Sequence, residues 1–212
     1  MMQAGKIKSA FRAAVLAVLV PATACAGELE DKIAYCKCCH GAHGQGYLGA
    51  FTIPRLAGQQ VPYMENVFKA LEKHTRDNPP ATMFMIPPER SIKPGMHSAI
   101  AKYFNGLEAR PAEDGPRRLV AEGKKIYDEG VPSANVPACT TCHGADAKGS
   151  EAAPSLAGQH YSYLVGQLTG WNEGYRSKDP VKSDAPNSMQ PIAAGLTKEQ
   201  MAAVAAYLSF AM

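Results

Sequence analysis

The chain has 212 residues, 46% of them hydrophobic and 19% charged, with a formal net charge of +3. That length holds one or two ordinary domains, and the composition excludes disorder and a fibrous repeat. The charge is too small to argue for a nucleic-acid partner, and beyond residue 26 no apolar run approaches the roughly 20 residues that cross a bilayer.

The chain opens with Lys6, Lys8 and Arg12, then the apolar run Ala13 to Val20, Pro21 and the small-residue site Ala24-Cys25-Ala26. This is the pattern of an export signal cut before Gly27. The run is too short for a membrane anchor. Lipid attachment at Cys25 would want a leucine three residues earlier, where Ala22 stands. Loss of residues 1–26 would remove three basic side chains and leave a nearly neutral chain in an oxidising compartment.

From residue 27 the sequence is one unit written twice. Glu28 to Tyr35 predicts a helix leading into Cys36-Lys37-Cys38-Cys39-His40. Pro54-Arg55-Leu56-Ala57-Gly58-Gln59 follows, then a helix over Val61 to Lys73 with apolar residues at helical spacing. Asp77 to Pro80 and Met85 to Pro94 carry too many prolines for helix. A further helix is expected over about Gly95 to Phe104. The polar stretch Gly106 to Arg117, with Pro111 and Pro116, reads as a linker.

The second copy starts with a helix over Leu119 to Tyr127 and reaches Cys139-Thr140-Thr141-Cys142-His143, offset 103 from the first motif. Pro154-Ser155-Leu156-Ala157-Gly158-Gln159 repeats the next segment at offset 100, and Tyr161 to Trp171 repeats the middle helix. Met189-Gln190-Pro191 matches Met85-Ile86-Pro87, offset 104. Thr197-Lys198-Glu199-Gln200 is a capping-box pattern opening a helix to about Ser209. Nothing resembles paired strands. The expected organisation is a signal over 1–26, domains over 27–106 and 118–212, and a linker over 107–117.

Cys-x-x-Cys-His is the attachment pattern of c-type haem. Two thiols one helical turn apart can each bond a vinyl group on one porphyrin edge, and the next residue then lies beneath the iron. Cys36 and Cys39 would hold one haem with His40 on its iron; Cys139, Cys142 and His143 would hold a second. A redox disulfide would not require the histidine. A zinc site needs four ligands, and each half offers three in an unsuitable row. Cys38 has no counterpart, since Thr141 stands in its place. It reads as a free thiol, with a mixed or intermolecular disulfide as the alternative.

A methionine thioether suits the remaining axial position and raises the potential. Met189 lies 18 residues before Tyr207, and the same step back from Tyr103 lands on Met85, leaving Met83 in reserve. His43, His74, His97 and His160 do not recur at aligned positions, which argues against a second histidine ligand. The carbonyls of Pro54 and Pro154 could accept the other imidazole N–H. Arg76 and Arg176 could pair with haem propionates. Trp171 could donate to one, but Leu71 replaces it in the first half, so core packing is the simpler role.

These residues resemble the cytochrome c4 family over essentially the whole of 27–212. The two Cys-x-x-Cys-His motifs, the Pro-x-Leu-Ala-Gly-Gln segments, the run from Gly130 to Pro132 with Pro137-Ala138-Cys139, and the methionine loops carry the likeness. Cys38 and Pro87-Pro88 depart from it. The resemblance implies an all-α chain of two class I cytochrome c domains with two covalent haem c groups. It implies a periplasmic protein, sometimes membrane-associated, carrying electrons from a cytochrome bc complex toward a haem-copper oxidase. Similar chains accept electrons from a dehydrogenase. With both axial positions filled, an electron carrier rather than an enzyme is expected. Residues 27–110 hold ten basic and eight acidic side chains, and 111–212 nine and eleven, so the two halves would differ in charge.

Overall fold

The computed structural model describes residues 23–151, 153–175 and 189–212, with side chains from residue 27 onward. The export-signal reading and Arg176 lie outside the described residues, apart from the start of the first helix. Helix α1 runs Thr23–His40, α2 Val61–Glu72, α3 Ile86–Glu89 and α4 His97–Asn105. The second half has α5 Val120–Glu129, α6 Thr140–His143, α7 Tyr161–Asn172, α8 Met189–Ala194 and α9 Lys198–Phe210. Among the described residues pairing is limited to isolated bridges, such as Tyr47 with Ile53. The fold is all-α, as expected.

Each half buries its own core. In the first, α2 and α4 pack together with α1 against α4, enclosing Met64, Phe68, Ile100 and Phe104. Leu71, Ala81 and Ile86 form an adjoining cluster that half-buried Met85 joins. In the second, α9 packs on α5 and α7, and Tyr127, Leu164, Leu168, Met201 and Leu208 are buried between them. Complete burial of a side chain such as Phe104 contributes about 1.5–3 kcal/mol. At the α5–α9 crossing a Cβ on Gly123 would lie 1.9 Å from the Ala203 carbonyl oxygen. The helices touch backbone to backbone there, and only glycine allows it.

The helix ends follow local chemistry. Thr197 accepts from the Gln200 N–H at 3.2 Å, while its own N–H donates to Gln200 Oε1 at 2.9 Å, completing the expected capping box. The proline-rich stretch is a correction. Ala81–Met85 forms one π-helical turn, and Ile86–Glu89 continues as α3 with Pro87 and Pro88 in its first turn. Pro87 and Pro88 fall where the ladder changes step, between Ile86 N–H bonded to the Ala81 carbonyl and Arg90 N–H bonded to the Ile86 carbonyl, so their missing N–H groups interrupt neither bond. Pro94 likewise opens a 3-10 turn over Pro94–Met96.

Candidate haem sites and family

The cysteine motif sits on helix in both halves. Helix α1 meets no glycine or proline between Glu28 and His40 and runs unbroken through Cys36, Cys39 and His40. In the second half Gly130 stops α5 at φ +72, a 3-10 turn over Pro132–Ala134 follows, and α6 begins afresh after Cys139. Both copies turn the first cysteine inward and the second outward: Cys36 and Cys139 are half-buried, Cys39 and Cys142 exposed. Burial pushes the Cys139 thiol up to about 11 and raises that of Cys36. No disulfide joins the described cysteines. Cys38 is exposed, and its thiol donates to the Ala34 carbonyl at 3.4 Å.

The two motif histidines are buried in matching environments. His40 Nδ1–H donates to the Pro54 carbonyl at 2.9 Å, and His143 Nδ1–H to the Pro154 carbonyl at 3.1 Å. A carbonyl can only accept, so the proton resides on Nδ1 and the Nε2 lone pair is free. Burial pushes both imidazoles below the ordinary histidine range, against the pull of the proline carbonyls. Both environments favour a neutral ring with its Nε2 lone pair available. His40 Nε2 is buried with no hydrogen-bond partner. Such an orphaned acceptor costs free energy unless something binds it. A haem iron satisfies that atom, and the neighbouring cysteines suit attachment, so the residues present fit haem c.

Two glycines hold this geometry, and neither was singled out in the sequence. Gly46 and Gly149 donate their N–H groups to the His40 and His143 carbonyls, each at 2.9 Å. Both have positive φ, and a Cβ on Gly149 would lie 2.5 Å from the Pro154 carbonyl oxygen that holds the imidazole. Their offset of 103 equals that of the cysteine motifs, the signal that could have found them.

Met189 opens α8 and packs on the same core as Cys139. Met85 packs on the cluster that includes Leu71 of α2, the helix whose Met64 and Phe68 belong to the cluster that Cys36 joins. Met83 is 62% exposed. The remaining histidines have other surroundings. His97 stacks on Phe68 with centroids 4.7 Å apart, and His160 bridges Asp114 and the Gln45 carbonyl. His43 and His74 are exposed. Trp171 packs against the second core.

The halves are joined by the repeated segments themselves. Buried Arg55 donates to the Arg110 carbonyl at 2.9 Å and to the Ala157 carbonyl. Arg76 is buried and donates to Tyr163 and Gln167 of α7, at 2.9 and 3.0 Å. The stretch between the halves is strapped down: Ala112 donates to the Gly158 carbonyl, and Glu113 to that of Ser209.

The cytochrome c family model matches residues 120–210. Cytochrome c-552 of Acidithiobacillus ferridurans is 36% identical over 202 residues, covering 92% of this chain and 84% of its own. A thiosulfate dehydrogenase electron acceptor of Thiomonas intermedia is 32% identical, covering 83% and 78%. The solved structure of Acidithiobacillus ferrooxidans cytochrome c4 superposes with a TM-score of 0.70 at 35% identity, covering 84% of this chain and 99% of the other. With its two helical halves and duplicated attachment motifs, the chain belongs to the cytochrome c4 family and is an electron-transfer protein with covalently bound haem c.

Proposed function

We propose that this chain is a periplasmic two-haem carrier that takes single electrons from one redox protein and passes them to another. Bound haem c supplies a one-electron iron couple. Cys36 and Cys39 anchor one group through thioethers, and Cys139 and Cys142 the other. His40 and His143 would offer Nε2 to the iron, held in orientation by the proline carbonyls, and Met85 and Met189 would supply the thioether ligands. Domains over 27–106 and 118–212, tied by 107–117, each carry one group. The reading rests on one observation above all: the two buried imidazoles, each protonated at Nδ1 by its bond to a proline carbonyl and each following a cysteine pair.

With a histidine and a methionine on each iron, neither group would offer substrate an open position, which suits a chain that carries electrons without transforming a metabolite. No helix among the described residues is long and apolar enough to cross a membrane, which suits a carrier moving between partners or resting peripherally on a membrane. The donor is a cytochrome bc complex and the acceptor a haem-copper oxidase. A second reading, as the electron-accepting cytochrome of a periplasmic dehydrogenase, is favoured by the relative named as a thiosulfate dehydrogenase electron acceptor.

Pyridine haemochrome absorbance and intact mass of the mature protein test the core of the proposal. Two haems per chain and a near-infrared methionine–ferric iron band are expected; one haem, or a high-spin spectrum, would refute it. Co-purification with a catalytic subunit would choose the second reading.

A further inference from the structure

The Pro-x-Leu-Ala-Gly-Gln segments meet each other across the interface, and they do so reciprocally. Gln159 Oε1 accepts from the Arg55 N–H at 2.8 Å while its Nε2 donates to the Arg55 carbonyl at 2.9 Å. Gln59 Oε1 accepts from the Ser155 N–H at 2.8 Å while its Nε2 donates to the Ser155 carbonyl at 3.0 Å. Both glutamines are buried. Each Oε1 is further held by the next backbone N–H, from Gln60 at 2.9 Å and His160 at 3.0 Å.

The place each glutamine grips matters. The Arg55 N–H and the Pro54 carbonyl belong to one peptide unit, and that carbonyl is the acceptor for His40. Likewise the Ser155 N–H shares its peptide unit with the Pro154 carbonyl, the acceptor for His143. Peptide resonance links the two ends of such a unit. When its N–H donates, electron density moves to its oxygen, which becomes a better acceptor. A better acceptor draws the Nδ1 proton and makes the imidazole a stronger donor to iron. That stabilises the ferric form and lowers the potential.

We propose that Gln59 and Gln159 are positioning residues that tune the haem potentials crosswise: Gln159, from the second half, lowers that of the haem on His40, and Gln59, from the first half, that of the haem on His143. This rests on the reading of both histidines as iron ligands. It makes the domain interface part of each haem's electronic environment. Loosening of that interface by a partner would raise both potentials with no ligand exchanged.

The test is spectroelectrochemical titration of the mature two-haem protein and of Gln159→Met and Gln59→Met. The second-haem transition is assigned by its displacement in Met189→Ala. Gln159→Met should raise the potential of the first haem and leave the second in place; Gln59→Met should do the reverse. Equal shifts of both haems, a shift confined to the glutamine's own half, or no shift would overturn the proposal. Gln159→Asn keeps the amide but is one methylene shorter, and should move the first haem in the same direction. Failure of both substitutions at 159 to mature with two haems would assign that glutamine to folding alone and likewise overturn the proposal. The haem count and axial-ligand spectra of the unmodified protein test the underlying reading separately.

Discussion

The two halves reach similar histidine environments by different routes. In the first, a single long helix carries the cysteines and histidine, and its core is supplied by Leu29, Ile33, Phe68 and Phe104. In the second, Gly130, Pro132 and Pro137 interrupt the helix, so α5 is free to press against α9 and α6 is a separate turn. Tyr127 then braces the loop after the motif, its hydroxyl donating to the Gly144 carbonyl at 2.6 Å. The imidazole–proline bond recurs in both halves although the helix before it does not. What the fold preserves is the local turn from histidine through glycine to proline carbonyl; the supporting helices vary.

The halves also differ behind the methionine segment. His97 and Glu89 are buried together in the first, Nε2 to Oε1 3.3 Å apart. At offset 104 the second half places Met201 and Ala193, both buried and apolar. The first half thus encloses an ionisable pair where the second has plain packing.

The largest expected effect tests whether the halves mature independently. Cys139→Ala removes an anchor and should abolish full attachment of the second haem while the first remains; intact mass and haemochrome yield report it. Two fully attached haems in that variant would show the motif to be misread. Next, Met189→Ala should erase one methionine–iron band and lower one potential by on the order of 0.1–0.3 V, part of the roughly 0.8 V range that axial ligands command. Met85→Ala should do the same to the other haem, and a Met83→Ala variant that behaved this way instead would exchange their roles.

A smaller effect concerns the α5–α9 crossing. Gly123→Ala forces a methyl group into the Ala203 carbonyl and should destabilise the second half by about 1–3 kcal/mol, as overpacking does. Thermal melting followed at the second haem should show the loss, with the first unchanged. The smallest effect concerns pH. Burial pushes His97 below the ordinary imidazole range, against the pull of Glu72 and Glu65. The unfolded chain therefore binds this proton first, so the contribution is intact above the ordinary histidine pKa of about 6.5 and is lost as the pH falls below it. Glu89 acts oppositely: burial raises its pKa, with Glu72 adding to the rise, so its cost grows as the pH increases through the carboxylate range. His97→Met should flatten the acid limb of the first half's melting curve toward that of the second. An unaltered limb would place the titration elsewhere.

Much of this was legible in the chain. The duplication, the cysteine–histidine motifs and the capping box at Thr197 are local patterns whose chemistry depends on residues a few positions apart. The helical nature of α2 and α7 followed from apolar spacing, and that of α9 from its capping box. The Pro87-Pro88 stretch is helical against the sequence expectation, because proline breaks a helix only where its N–H is needed, and here it stands at the step from a π-helical to an α-helical ladder. Nothing in the repeat marks Arg55, which differs from its counterpart Ser155, yet it is buried and bonded across the interface.

Sequence alone pointed to the residues proposed to hold haem, and to two such sets, because covalent attachment needs a fixed short spacing and duplication leaves it visible. Only the tertiary structure decided what the repeated glutamines do. Gln59 reaches Ser155 and Gln159 reaches Arg55, 96 and 104 residues away. Contacts at that separation depend on how two finished domains pack, and no local propensity or spacing encodes them.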